Sequence, residues 1–313
     1  MNGQKLLIFG SGFIARHIAE EATTQGFDTV LLYNHHTIES FTGLRQIQLA
    51  SVNLTNFIAK ERPTAIIALQ GNSFVPDNQN LLEALNANLL MTMSFMEKVL
   101  AAHQKGTLKL TRVIFAGSAG EYGKTYHEPI AENFPLHPTS VYGLTKIFLY
   151  NMAMFYAEKG LPVIHVRQFN CTGPHQRAPF VIPSICRQIA KIERGLQDSI
   201  TIGDTTQERD FIDVRDAAVA YLLLLKSARN GEIYNIGSGH AVSIAEVLRK
   251  AISLTTVSTG IPLTYDPELF FDKNAMSKKI CADITKLYSL GFEFRYTLDD
   301  TLRDTLAYWR NHV

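Results

Sequence analysis

Five residues, Lys5-Leu6-Leu7-Ile8-Phe9, run straight into Gly10-Ser11-Gly12-Phe13-Ile14-Ala15, and a helical apolar pattern begins directly behind them. A short aliphatic run reads as a buried strand, and small residues spaced G-x-G-x-x-A between a strand and a helix narrow the choice of folds sharply. Gly10 permits the tight turn, Gly12 lets a ligand approach the backbone, and Ala15 lets the helix lie close on the strand. The helix N-terminus offers unpaired N–H groups that suit a pyrophosphate. The turn therefore predicts dinucleotide binding, with contacts from Gly10, Gly12, Phe13 and Ile14.

The chain beyond this turn fits the same architecture. Aliphatic runs at Lys5–Phe9, Asp28–Tyr33, Ala65–Ala68, Arg112–Ala116 and Pro162–Gln168 alternate with helical patterns at Ile14–Gln25, Leu81–His103 and Val141–Glu158, the signature of βαβ units and a parallel sheet. After Arg167 the chain becomes punctuated by Pro and Gly, at Gly173-Pro174, Ala178-Pro179, Ile182-Pro183, Gly203-Asp204 and Gly237-Ser238-Gly239. Two segments look as if they return to the sheet, Asp216–Lys226 as a helix and Ile233–Ile236 as a strand. The expectation is an α/β chain: a Rossmann-type doubly wound parallel sheet over 1–168 plus about 207–238, and a smaller α/β substrate-binding domain over about 169–206 and 239–313.

With 313 residues, 46% of them hydrophobic, the chain can bury a substantial core. Thirty Lys and Arg against 29 Asp and Glu leave a formal charge of +1 with no basic stripe, which disfavours nucleic acid as a partner. The longest strongly apolar stretch, Ala217 to Leu225, is too short for a bilayer, so no membrane partner is expected. Cys171, Cys186 and Cys281 are scattered without the spacing of a metal site, and no metal is expected. Their odd number and a chain that opens on a strand make the cytoplasm the expected compartment.

Two further features carry chemistry. Tyr142 and Lys146 stand four apart in Ser140-Val141-Tyr142-Gly143-Leu144-Thr145-Lys146, and on a helix such positions share one face, roughly 5–6 Å apart at Cβ. A fixed ammonium beside a phenol favours the phenolate, so the pair can exchange a proton with an alcohol or ketone oxygen. Taken alone, the same spacing more often marks an exposed aromatic beside a solvated lysine. At the end of the second strand, where an acid commonly holds the ribose of NAD, the chain reads Leu32-Tyr33-Asn34-His35-His36. Without a carboxylate to repel a 2′-phosphate, and with Asn34 and His35 able to donate hydrogen bonds, NADP(H) is favoured over NAD(H); the histidines could also be plain loop residues.

With Gly117-Ser118-Ala119-Gly120-Glu121-Tyr122-Gly123 after the fourth strand, the chain resembles the extended short-chain dehydrogenase/reductase family that acts on nucleotide sugars. Arg167-Gln168-Phe169-Asn170-Cys171-Thr172-Gly173-Pro174, Glu208-Arg209-Asp210-Phe211-Ile212-Asp213-Val214-Arg215-Asp216 and Tyr234-Asn235-Ile236-Gly237-Ser238-Gly239 extend the match over nearly the whole length. Phe180-Val181-Ile182-Pro183 through Glu193-Arg194-Gly195-Leu196 looks most like the GDP-4-keto-6-deoxymannose reductase branch.

The resemblance implies a catalytic set of Ser118, Tyr142 and Lys146. Ser118 binds the substrate carbonyl oxygen, Tyr142 supplies the proton, and Lys146 holds nicotinamide ribose hydroxyls. Cofactor contacts carried over by the resemblance are Asn53 and Leu54 near the adenine and Leu69 and Gln70 after the next strand. Substrate contacts are Glu121 to a sugar hydroxyl, and Asn170, Arg209 and Lys273 to the diphosphate. Ala119 and Gly120 replace the acid and base of the family's dehydratases, which points away from dehydration. The implied activity is NAD(P)H-dependent reduction of the C4 ketone of a GDP- or dTDP-linked 4-keto-6-deoxy sugar. A 4-epimerase holding NAD tightly is the alternative, and a non-catalytic dinucleotide sensor a second. The resemblance also implies a homodimer that pairs the helices at Leu81–His103 and Val141–Glu158 into a four-helix bundle.

Overall fold

The computed structural model describes residues 4–34, 36–38, 43–72, 80–125, 127–257, 260–269 and 277–313. Its strands are β1 (Lys5–Phe9), β2 (Asp28–Tyr33), β3 (Arg45–Gln48), β4 (Ala65–Ala68), β5 (Arg112–Ala116), β6 (Val163–Gln168), β7 (Asn170–Thr172), β8 (Ile200–Ile202), β9 (Glu208–Asp213), β10 (Ile233–Ile236), β11 (Ala241–Ser243), β12 (Leu263–Tyr265) and β13 (Lys279–Ile280). The helices are α1 (Phe13–Thr24), α2 (Leu54–Glu61), α3 (Leu81–Leu85), α4 (Met91–Gln104), α5 (Val141–Glu158), α6 (Val181–Glu193), α7 (Val214–Ser227), α8 (Ile244–Ile252), α9 (Thr285–Tyr288) and α10 (Leu298–Arg310).

Seven strands form one sheet in the order β10-β6-β5-β4-β1-β2-β3, with every pairing parallel. Crossovers run outward in both directions from β1 and β4, the doubly wound arrangement expected from the sequence. Alternate residues of β1 explain why both faces are covered. Leu6 and Ile8 pack with Ala15, Ile18 and Ala19 of α1 and with α7, while Leu7 and Phe9 pack with Phe57 of α2, Phe95 and Val99 of α4, and Leu149 of α5. A strand buried on both faces carries no polar alternation, which is why β1 reads as a continuous apolar run.

β3 escaped the sequence reading because Arg45-Gln46-Ile47-Gln48 is an edge strand with a single apolar side chain, Ile47, packed inward. The helix expected over Leu81–His103 is interrupted by a π turn at Asn86–Leu90, between α3 and α4.

Beyond β6 the chain builds a smaller unit. Ile182, Ile185 and Ile189 of α6, Val247 and Leu248 of α8, Leu302 and Leu306 of α10, and Ile200 of β8 form a separate core. Its sheet pairs β9 with β7, β11 and β13. The chain rejoins the main sheet at β10, after α7. Asp213 marks that crossing: it caps α7 by accepting from Arg215 N at 2.8 Å.

Candidate active site

The turn after β1 has the shape that its glycines require. Gly10 takes φ +119°, and a Cβ there would lie 2.9 Å from Gln70 N and 3.0 Å from the Leu69 carbonyl carbon. Leu69 and Gln70, just after β4, thus stand beside Gly10. Gly12 differs: nothing lies within 4 Å of a Cβ built on it. It precedes α1, and no described side chain caps the first-turn amides of that helix. An uncapped helix N-terminus behind an open glycine suits a pyrophosphate.

The residues expected on the adenosine side have local roles of their own. Asn53 is exposed and caps α2, its Oδ1 accepting from Asn56 N at 3.1 Å; one lone pair of that oxygen is engaged, and Leu54 begins the helix. Asn34 stands half-buried at the end of β2, while His35 lies outside the described residues.

The catalytic candidates meet between the end of β5 and the start of α5. Ser140 caps α5 by accepting from Gly143 N at 3.0 Å, which places Tyr142 and Lys146 on the first two turns. Lys146 is buried, donates from Nζ to Ala116 O at 2.9 Å, and sits 5.6 Å from the centre of the Tyr142 ring. No described residue hydrogen-bonds the Tyr142 hydroxyl. Ser118 joins them through the turn at Ala119–Glu121: a Cβ on Gly120 would lie 3.5 Å from Ser118 Oγ and 3.6 Å from both Tyr142 Cδ1 and Gly143 Cα. Ser118 Oγ accepts from Gly120 N at 3.1 Å, which leaves its own proton free for a ligand oxygen.

Close backbone packing sets that geometry. A Cβ on Gly143 would lie 2.4 Å from Gly120 O, and one on Gly123, at φ +64°, would overlap His137 O. At Gly120 and Gly143 the helix that carries Tyr142 and the serine turn approach main chain to main chain.

Glu121 is placed differently from expectation. It is fully buried, and its carboxylate accepts from Ser118 N at 2.9 Å and from Arg167 Nε at 2.8 Å, with His165 Nε2 at 2.9 and 3.1 Å. Burial opposes ionisation, yet His165, Arg167 and the Ser118 N–H outweigh it and hold the carboxyl below its ordinary value. A carboxylate so enclosed offers no oxygen to a sugar hydroxyl.

One residue absent from the sequence reading is Asn88, buried in the π turn. Its Oδ1 accepts from Asn72 N at 2.6 Å and its Nδ2 donates to Thr145 Oγ1 at 3.3 Å, while Thr145 Oγ1 donates to Tyr142 O at 2.8 Å. It ties the loop after β4 to the catalytic turn of α5, and π turns often re-aim such a side chain. Its sequence signal was an amide inside an otherwise apolar helical stripe.

The smaller unit contributes Arg209, buried on β9. Nη1 donates to Glu208 O at 2.8 Å and Lys278 O at 3.1 Å, and Nη2 donates to Gln207 Oε1. Among the described residues this leaves Nε–H and one Nη2–H, an edge that matches two phosphate oxygens. Burial draws its ionisation below the ordinary value, against the pull of Glu128 and Asp204. Asn170 stands exposed on neighbouring β7. Lys273 lies outside the described residues. No group of three or more metal-ligating side chains occurs among the described residues, and no helix there is long and apolar enough to cross a membrane.

Comparison with known proteins agrees with this layout. The chain is 28% identical over 317 residues to GDP-6-deoxy-D-mannose reductase of Pseudomonas aeruginosa, covering 99% of this chain and 98% of that protein. It is 26% identical over 333 residues to UDP-glucose 4-epimerase of Lactobacillus helveticus, covering 98% and 97%. The solved structure of RMD from Pseudomonas aeruginosa complexed with NADPH is similar at TM-score 0.83 and 26% identity, covering 99% of this chain and all of that one. Residues 7–305 match the family model described as GDP-mannose 4,6 dehydratase. The chain therefore belongs to that family, whose members are nicotinamide-dependent enzymes of nucleotide-sugar chemistry.

Proposed function

We propose that this chain is an NADPH-dependent reductase of the C4 ketone of a 4-keto-6-deoxy nucleotide sugar, with the GDP-linked sugar the first to test and the dTDP-linked one the second. One observation carries this: hydroxyl, phenol and ammonium converge at the Ser118 turn, while the next two residues are Ala119 and Gly120. Removing water from a hexose needs a second acid/base pair beside the ketone, and neither of those side chains can move a proton.

The open cradle of Gly12 and the α1 amides fits a dinucleotide, and when bound there in reduced form it supplies the hydride. Ser118 donates a hydrogen bond from its free O–H to the ketone oxygen, holding it as negative charge develops. Tyr142 passes its phenolic proton to that oxygen, and Lys146 keeps a positive charge beside the phenol as the proton leaves. Arg209 grips the diphosphate through Nε–H and Nη2–H, with Asn170 beside it. NADPH is preferred over NADH because β2 is followed by Asn34 rather than an acid, and similarity to a protein solved with NADPH supports this. The larger unit carries the cofactor and the smaller one the nucleotide sugar.

Loss of 340 nm absorbance with GDP- or dTDP-4-keto-6-deoxyhexoses, followed by NMR of the product at C4, tests the proposal. No loss with any of them, under NADPH or NADH, overturns it. Similarity to UDP-glucose 4-epimerase favours a second reading, in which the same three side chains interconvert C4 epimers. Such an enzyme purifies with tightly held NAD and consumes no cofactor. A non-catalytic sensor has no use for the converged side chains.

The exposed apolar residues Leu82, Leu90 and Met93 along α3 to α4, with Phe148 and Phe155 on α5, suit burial against the same helices of a second copy as a four-helix bundle. Phe155→Glu is expected to shift the mass in light scattering from dimer to monomer; a wild-type monomer refutes the pairing.

A further inference from the structure

The buried cluster under the Ser118 turn has no part in the chemistry above. It consists of Glu121, His165 and Arg167, which are fully or almost fully buried. Burying a carboxylate and a guanidinium is expensive, and apolar side chains of similar volume commonly serve a core as well or better. His165 Nδ1 is in addition buried without a hydrogen-bond partner among the described residues, a further cost. A cluster that stabilises so inefficiently calls for another role.

We propose that Glu121 is a positioning residue for Ser118. Two bonds hold Ser118 in its turn. Its Oγ accepts from Gly120 N at 3.1 Å, and its N–H donates to Glu121 Oε1 at 2.9 Å. The first directs the hydroxyl proton outward, and the second fixes the backbone from which the hydroxyl projects. Glu121 is itself immobilised: Arg167 Nε holds Oε2 at 2.8 Å and His165 Nε2 sits astride both oxygens. Arg167 is held in turn by donating from Nη1 to Glu132 O at 2.8 Å, with its guanidinium 4.7 Å from the centre of the Tyr122 ring.

Gly117 supports the same assignment from the packing side. A Cβ there would lie 2.1 Å from Glu121 Oε1 and 2.3 Å from His165 Nε2. The residue preceding Ser118 therefore lies directly against the carboxylate and the imidazole, and the strand end, the cluster and the serine form one rigid block. This inference rests on the assignment of Ser118 to the substrate oxygen.

Glu121→Gln keeps the volume but turns a donating amide towards donors. The expected result is a fall in kcat of ~10- to 100-fold, the scale of a hydrogen-bond donor misaimed by a fraction of an ångström. KM for the sugar and the Kd for NADPH should change less than about threefold, since neither ligand loses a contact. A purely structural role predicts equal damage whether or not Ser118 is present. The deciding comparison is therefore S118A against S118A/E121Q. If Glu121 acts through Ser118, the double variant is no slower than S118A; a further drop as large as in the wild-type background overturns the proposal.

Amide hydrogen exchange supplies an arm independent of turnover. The Ser118 N–H should be protected in the wild type and exchange at least ~10-fold faster in E121Q while the amides of β5 stay protected, as expected of a local opening. Equal protection in the two proteins overturns the proposal. If no nucleotide sugar is turned over, the reductase assignment falls and the exchange result still decides whether Glu121 fixes Ser118. Should E121Q not fold, His165→Leu, which removes one clamp, replaces it with a smaller expected effect in the same direction, and unchanged exchange and kcat in that variant refute the role.

Discussion

Helix propensity and packing make opposite predictions for Gly143→Ala. Gly143 is the third residue of α5, and by propensity alone an alanine stabilises a helix interior by ~1 kcal/mol over glycine. Here the added Cβ lies 2.4 Å from Gly120 O, short by at least 0.6 Å of the 3.0 Å below which such contacts do not occur. The atom it meets is backbone, so no side-chain rotation relieves the clash. Either α5 lifts off or the turn at Ala119–Glu121 is pushed away, and both motions part Tyr142 from Ser118. Overpacking of this kind costs ~1–3 kcal/mol, which outweighs the propensity gain and leaves a net loss of about 1 kcal/mol, or roughly 2 °C in Tm for a chain of this size. The effect on rate is larger, because a displacement approaching 1 Å between reacting groups costs up to ~100-fold. The expected variant is folded, binds NADPH normally by fluorescence titration, and has kcat reduced ~10- to 100-fold. A G143A protein that is as active as the wild type and more stable would show that the serine turn and the catalytic helix are not coupled through this contact.

Gly12→Ala should behave in the opposite way: with nothing within 4 Å of the new Cβ, the fold is kept or slightly stabilised. NADPH affinity should drop at least ~10-fold as the methyl fills the phosphate cradle, and unchanged affinity by titration would displace the cofactor from this turn. Tyr142→Phe removes the proton donor without disturbing Lys146, so turnover should fall ~10²- to 10⁴-fold with cofactor binding unaltered; retained turnover refutes the role of the phenol. Glu193 accepts from Arg310 Nε at 2.8 Å and Nη2 at 2.7 Å, and this pairing holds its carboxyl below the ordinary 4.5. A carboxyl lowered by folding stabilises above that value and loses the contribution as pH falls through its folded-state value. Glu193→Gln should cost up to ~1 kcal/mol at pH 7, screening at the half-exposed Arg310 limiting it. It should also flatten the decline in Tm as the pH falls below the ordinary carboxyl value of 4.5; parallel melting curves for the two proteins would refute this.

Where a residue's role is set by its neighbours in the chain, the sequence was enough. β1, the glycine turn, α1 and α5 are legible because apolar period, turn glycines and caps are local properties. The pairing of Tyr142 with Lys146 is likewise a consequence of helical spacing. β3 was invisible because an edge strand buries too little to mark its residues. The π turn was invisible because one extra residue in a helical turn leaves the apolar stripe almost unaltered.

The tertiary structure alone decided what long-range packing controls. Glu121 looked like a loop acid available to a sugar, and it proved to be enclosed by His165 and Arg167, 44 and 46 residues further along the chain. Asn53, expected near the adenine, also caps α2 through its Oδ1, a local role that its expected contact did not include. Nothing in Gly120 or Gly143 announced that they press on each other, since a glycine read alone shows only its freedom and never the atom that forbids a side chain. The sequence by itself determined the doubly wound sheet, the glycine turn behind β1 and the placing of Tyr142 and Lys146 on one face of α5. The folded chain decided which charges face the site and which brace it from beneath, because burial and charge partnership belong to pairs of residues far apart in sequence and close in space.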